Sequence, residues 1–300
     1  MNLSSKKMLT NQHGFTLIEL IVAIAIGLIV SAAALQLFTG GLITSRMQDA
    51  NAELQDSGIF GVEYIARDVR LANFGNDNNP VLNDKTPMGG IVLTSGETGA
   101  NLPLKDVSAD LLTKTGIASN TTGKSDQLTI QFIAPNDMLN CEGQKVSANK
   151  YIIQRYFLRQ DGADGNLALV CDANSGSASV SIAGLKDTNN GEVIMPRVDQ
   201  LRFYLGSKVG NNLMYYSIDE YKKAALTSNI PRIVSVRIMV LVRSKDPVSS
   251  KDINPSKDSF KFLDGEVTPS DTKTKYMRRL YATTIALRNG LGEKIYENAD

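Results

Sequence analysis

The pattern of apolar and polar positions divides this 300-residue chain into three stretches. Residues 13 to 38, HGFTLIELIVAIAIGLIVSAAALQLF, form a mostly apolar run with one charge, Glu19. About 20 consecutive apolar residues span a bilayer as a helix, so the run is long enough to cross one. Beyond Gly40-Gly41, a soft spot in a helix, the pattern turns amphipathic. Met47, Ala50, Leu54, Gly58, Val62, Ile65, Val69 and Ala72 recur at spacings of three and four and mark one helical face. No proline occurs before Pro80, which predicts a helix from Phe15 to about Asn73, stopped at Gly75. Gly27 and Gly40-Gly41 are the candidate points of bending.

The period changes from there on. Residues 76–90, NDNNPVLNDKTPMGG, have loop composition. Two-residue alternation then predicts strands at Ile91–Leu93, 128–133, Tyr151–Leu158, Leu167–Cys171, Val180–Ile182, Val193–Met195, Val198–Leu205, Leu213–Ile218, Arg232–Arg243 and Leu280–Leu287. Asp161–Asn166 makes a hairpin turn, and Asn190-Gly191 and Asn289-Gly290 are further turn signals. A short helix is expected at Asp219–Leu226, and 96–124 and 245–275 are polar excursions. The fold class is α+β: a long N-terminal helix on an antiparallel, β-rich head.

Three readings fit the apolar run. It is a single-pass anchor, a secretory signal peptide cut near Ala32-Ala33-Ala34, or a leader of the type IV pilin kind, which Gly14-Phe15-Thr16-Leu17-Ile18-Glu19 resembles and which implies a cut just before Phe15 with the helix retained. Lys6 and Lys7 precede it, which keeps that end cytoplasmic and sends the rest across the membrane. A carboxylate inside an apolar helix is costly in lipid and marks a functional position, and an anchor or signal peptide has no use for Glu19. Cleavage before Phe15 would create an ammonium four residues from Glu19, about one helical turn.

Composition adds exclusions. The one histidine, His13, lies ahead of that cut, so histidine catalysis and histidine metal ligation are excluded from the mature chain. With net charge +1 and short, separated basic pairs, Lys222-Lys223 and Arg278-Arg279, no nucleic-acid partner is expected. No Walker-type loop occurs, and the stretch Asp161–Asn166 lacks the spacing of a calcium loop. No metal, cofactor or enzymatic activity is expected. Cys141 and Cys171, two cysteines beyond the membrane, suggest one disulfide; the alternative is a pair of buried thiols.

Gly14-Phe15-Thr16-Leu17-Ile18-Glu19 resembles the leader of type IV pilins and pseudopilins. MPRVDQLRFYLG at 195–206 and MRRLYATTIALRNG at 277–290 resemble the PilW-type minor pilins, which are related to the J-type pseudopilins of type II secretion. The resemblance implies a leader at 1–14, a stem helix at 15–74 that is transmembrane over 15–38, and a periplasmic head at 75–300. It implies cutting between Gly14 and Phe15 by a prepilin peptidase, N-methylation of Phe15, and Glu19 as the charge that docks a neighbouring subunit. The implied function is a low-abundance subunit at the pilus tip that primes assembly. Its partners would be other minor pilins, the major pilin, the inner membrane and the assembly platform. A J-type pseudopilin of a secretion system is the alternative. Residues 76–90 would then be either a partner-facing loop or a plain connector.

Overall fold

The computed structural model describes residues 14–162, 165–185, 191–209, 212–227, 229–250 and 253–288. Lys6, Lys7, His13, Asn190 and the Asn289-Gly290 turn lie outside the described residues. The chain divides into two compact units, Met1–Gln48 and Asp49–Asp300.

Helix α1, Leu17–Val69, is a single helical element that passes through Gly27 and Gly40-Gly41 without a break. It ends four residues earlier than the sequence predicts, and hydrogen-bonded turns carry the chain on to Gly75. Within the second unit the predicted apolar stripe is the buried one: Ala50, Leu54, Gly58, Val62, Ile65, Val69 and Ala72 are all buried.

The strands are β1 (Lys114–Ile117), β2 (Ser125–Ile133), β3 (Met138–Leu139), β4 (Lys145–Val146), β5 (Tyr151–Gln160), β6 (Leu167–Ala173), β7 (Glu192–Met195), β8 (Val198–Val209), β9 (Asn212–Ser217), β10 (Arg232–Arg243), β11 (Phe260–Phe262), β12 (Gly265–Val267) and β13 (Arg278–Ala286). All pairings between them are antiparallel. One sheet runs β1-β2-β5-β6-β7 and a second runs β13-β10-β8-β9; β3-β4 and β11-β12 are small hairpins. Helix α2, Ile218–Ala224, begins with a capping box in which Ser217 and Glu220 satisfy each other's backbone N–H.

The two sheets meet where β2 runs past β8. There Ser125 Oγ accepts the backbone N–H of Leu201 at 3.2 Å, and Asp126 Oδ2 accepts that of Phe203 at 2.9 Å. Side chains thus satisfy strand N–H groups that would otherwise be buried without partners. One core runs beneath both sheets: Leu54, Val62 and Ile65 of α1 join Leu128, Ile130 and Phe132 of β2 and Val236, Ile238 and Val240 of β10.

Two sequence expectations change. Ile91 forms an isolated bridge to Ile130 rather than a strand, and Val180–Ile182 is irregular chain whose side chains pack on Val92 and Leu102. Along β2 the polar Gln127, Thr129 and Gln131 alternate with Leu128, Ile130 and Phe132, and all three polar side chains are buried. The chain at 89–112 lies over them, and their side chains bond its backbone: Gln127 Nε2 to Asp110 O (2.7 Å), Thr129 Oγ1 to Leu111 O (2.7 Å), and Gln131 Nε2 to Gly89 O (2.7 Å) and Asn101 O (2.8 Å). A polar strand face can cover a loop because the loop brings its own unpaired carbonyls. The excursion at 245–275 likewise carries β11-β12, which covers Tyr204, Met239 and Leu241 on the outer face of the second sheet.

Candidate functional site

The first unit presents a bare apolar helix. Every residue from Gly14 to Leu42 is exposed, and Phe15 is 91% accessible. By length and composition α1 is able to cross a membrane. Two of its hydroxyls are satisfied by its own backbone: Thr39 Oγ1 donates to Leu35 O at 3.0 Å, and Thr44 Oγ1 to Gly40 O at 3.0 Å. A lipid-facing helix needs this, because no water is there to serve.

Glu19 has a local partner. Its Oε2 accepts the backbone N–H of Thr16 at 2.9 Å and the Thr16 hydroxyl at 3.0 Å, and Thr16 Oγ1 accepts the N–H of Glu19 at 3.3 Å. This is a reciprocal capping box at the start of α1. It satisfies two of the donors that a helix start leaves open and sets a negative charge at the positive end of the helix dipole. The T-x-x-E spacing of Thr16 and Glu19 carries the signal for this cap, which the sequence reading passed over in favour of Glu19 alone. Gly14 stands just ahead of the cap, and a Cβ built there would meet nothing within 4 Å.

In the second unit, a buried polar cluster sits on α1. Asp68 is fully buried; its Oδ2 accepts the Tyr156 hydroxyl at 2.8 Å and its Oδ1 accepts Arg67 Nε at 3.0 Å. With its amide oriented by these neighbours, Gln154 donates to Asp68 Oδ2 at 3.2 Å and to the Tyr156 hydroxyl at 3.0 Å, and accepts the N–H of Cys141 at 2.9 Å. Burial pushes the Asp68 carboxyl above its ordinary range, against the Tyr156 hydrogen bond and the Arg67 charge that hold it down. Burial, with Asp68 alongside, also raises the Tyr156 hydroxyl well above its usual value.

Cys141 and Cys171 form a disulfide with Cα atoms 6.1 Å apart. The bridge ties the segment between β3 and β4 to β6, and Tyr64 of α1 donates its hydroxyl to Cys141 O at 3.1 Å. Thus Gly14, Phe15 and Glu19 lie together at one helix end, while the cysteines belong to the packing of the head against residues 54–69 of the helix. Asp68, Gln154 and Tyr156 were missed in the sequence. An acidic residue at a predicted helix position is ordinary, and its burial depends on a strand almost ninety residues away in sequence. Among the described residues no group of three or more His, Cys, Asp or Glu is placed to hold a metal.

Comparison with known families places these features. Residues 9–35 match the prokaryotic N-terminal methylation motif, and residues 155–289 match the type IV pilus-assembly protein W family. Over those residues the chain is similar to both families. A search of curated proteins found no match. Among solved structures, a type IV-like pilin from Thermus thermophilus is similar, with 12% identity and a TM-score of 0.41 over 79% of this chain and 96% of that one. The PilW match starts within β5 and runs just past β13, so it covers the whole second sheet and, in the first, β6, β7 and part of β5; the methylation motif covers the cap and most of the apolar run. Pilin-like proteins are structural subunits that assemble with other pilins, and the motif together with the apolar helix points to membrane anchoring and the pilus fibre.

Proposed function

We propose that this chain is a minor type IV pilus subunit that sits at or near the pilus tip and primes assembly. It is cut between Gly14 and Phe15 by a prepilin peptidase and N-methylated on Phe15. It waits in the inner membrane with its head in the periplasm, then is drawn by the assembly platform into a fibre with other minor pilins and the major pilin. The observation that carries this reading is the N-terminal geometry: an open glycine, an exposed phenylalanine, a Glu19 cap and an unsatisfied apolar helix within one methylation motif.

Cleavage after Gly14 leaves the Phe15 ammonium next to a carboxylate already held at the helix start. In an apolar bundle an ammonium from a neighbour could take the place of the Thr16 donors. Opposite charges in such surroundings relieve the cost of each other's burial. N-terminal mass spectrometry of membrane-extracted protein should find methylated Phe15. Gly14→Val should block processing, because a branched side chain would stand at the cut bond. Glu19→Ala should be processed and yet fail to assemble. A mature chain beginning at Leu35, or uncut at Met1, removes the basis of this reading. Loss of exoprotein secretion rather than of twitching on deletion would assign the chain to a type II secretion pseudopilus instead.

A further inference from the structure

At the end of the stem, a cavity of about 210 Å³ opens beside the turn that follows α1. Phe74, Phe132, Ile133 and Met88 give it an apolar wall, and Tyr151, Asn78, Asn79 and Gln131 a polar one. Neither Lys nor Arg lines it, and Asp77 is its one charged residue. This differs from the larger cleft of about 770 Å³ bounded by Arg197, Arg243 and Arg278. There each arginine already faces a carboxylate, Glu53 or Asp199.

Several polar groups around the smaller cavity have capacity to spare. Gln131 is 3% exposed, and both hydrogen bonds of its amide nitrogen are spent on Gly89 O and Asn101 O. Its Oε1 has no hydrogen-bond partner among the described residues, which in a folded interior calls for an explanation. The Tyr151 hydroxyl and the Asn78 amide make no hydrogen bond among the described residues either, and Asn79 uses one donor, on Asn76 Oδ1 at 3.4 Å. Amides and a phenol offer donors and acceptors in equal measure. The floor is less forgiving: Gly75 has φ +82°, and a Cβ there would come within 2.7 Å of Ile133.

We propose that this cavity binds one neutral sugar ring. A pyranose has an apolar face that packs on aromatic rings, and hydroxyls that need both donors and acceptors. An anionic ligand would meet Asp77; the one cation beside the lining among the described residues, Arg288, is stacked over the Phe74 ring 5.3 Å from its centroid, which leaves the Tyr151 ring as the open aromatic face, and a hydrocarbon would leave the amides unpaired. The volume is below the roughly 300 Å³ at which drug-sized pockets begin, which restricts the occupant to about one ring. None of this depends on whether the fibre is a pilus or a pseudopilus.

The test is saturation-transfer NMR on the full chain in lauryldimethylamine oxide micelles, which contain no sugar. The probes are glucose, galactose, N-acetylglucosamine and N-acetylgalactosamine, their methyl glycosides, and glucuronate. We expect at least one neutral sugar to bind in the millimolar range and glucuronate to bind at least five-fold more weakly. Asn78→Ala and Tyr151→Phe should each weaken binding five-fold or more with an unchanged circular dichroism spectrum. Asn78 is exposed and unbonded, so its replacement leaves the fold intact. Binding of the methyl glycoside together with the free sugar would identify a glycan terminus as the source, and binding of the free sugar alone a soluble sugar. No binding by any neutral probe, preference for glucuronate, or equal binding by both variants would overturn the proposal.

Discussion

Tyr156→Phe isolates the buried hydrogen bond that holds the head to the second half of α1. The substitution removes one oxygen atom and leaves the ring in place. The hydroxyl it deletes donates to Asp68 Oδ2 at 2.8 Å, and both residues are at most 1% exposed. Hydrogen bonds to a charged group contribute about 1.5–3 kcal/mol, so Tyr156→Phe should cost the full chain roughly 2 kcal/mol at pH 7.5. Arg67 and Gln154 remain as partners for the carboxylate, which keeps the cost below that of an orphaned buried charge. The pH dependence gives the diagnostic sign. The folded-state pKa of Asp68 is raised by burial, so the folded chain holds its proton more tightly than the unfolded chain. Stability from this group is therefore present at low pH and lost as pH rises through the folded pKa. Removing a hydrogen bond that favours the ionised form raises that pKa further, so the penalty of the variant must shrink on acidification. Urea unfolding followed by tyrosine emission at pH 7.5 and pH 5 measures both quantities. A penalty under about 0.5 kcal/mol at pH 7.5, or one of equal size at the two pH values, would refute this account.

Three other outcomes are expected. Gly90→Ala would place a Cβ 1.9 Å from the backbone nitrogen of Asn73, where no side chain can yield; it should cost about 3 kcal/mol or more and lower Tm by roughly 6 °C or more in a thermal scan. Cys141→Ser with Cys171→Ser opens a loop of 30 residues and should lower unfolding free energy by roughly 3–4 kcal/mol in the chain-entropy account, read by urea titration against wild type. Asp126, buried between the sheets, has its carboxyl raised to about 6 by desolvation, against the pull of Arg202 and the N–H of Phe203. Its contribution is present below pH 4 and lost toward pH 6. The wild type should lose roughly 2 kcal/mol from this group between pH 4.5 and 7, and Asp126→Asn should flatten that slope.

The stem was readable from sequence because a helix reports its buried face locally. Spacings of three and four from Ala50 to Ala72 are enough, and nothing distant is needed to interpret them. One central strand was equally plain: Arg232–Arg243 emerges with the bounds the alternation gives it. What could not be read was polarity turned inward. Gln127, Thr129 and Gln131 look like a wet face until the chain at 89–112 is laid over them, and that loop's path is set by Asn101, whose amide bonds Leu93, Asn83 and Thr86. Asp68 is unreadable for the same reason. Its partners Gln154 and Tyr156 arrive from β5, and local pattern carries no trace of a contact closed over so long a loop.

The Glu19 cap changes what the docking idea must explain. A lone carboxylate in an apolar helix suggests a group waiting for a distant partner, but here Oε2 already accepts two donors from Thr16. The cost of keeping Glu19 in the membrane is thus partly met before any neighbour arrives, which explains how a precursor can carry it. In the proposed docking, a neighbour's ammonium would compete with an existing cap rather than rescue an orphan charge. The net gain from docking is the difference between a charged donor and two neutral ones, and a charge-assisted hydrogen bond is about twice as strong as a neutral one. The balance is therefore close for a single pairing, and the apolar surface of the helix must supply the rest of the assembly energy. With Phe15, Leu17, Ile18, Leu28 and Ile29 each more than 65% exposed, that surface is large. Thr16→Ala separates the two contributions. It removes the hydroxyl from the cap and leaves Glu19 in place. If docking competes with the cap, assembled filaments should tolerate Thr16→Ala far better than Glu19→Ala. Equal loss of filaments in the two variants, counted by electron microscopy, would mean that the cap itself, and not a second chain's amine, is what assembly requires of Glu19.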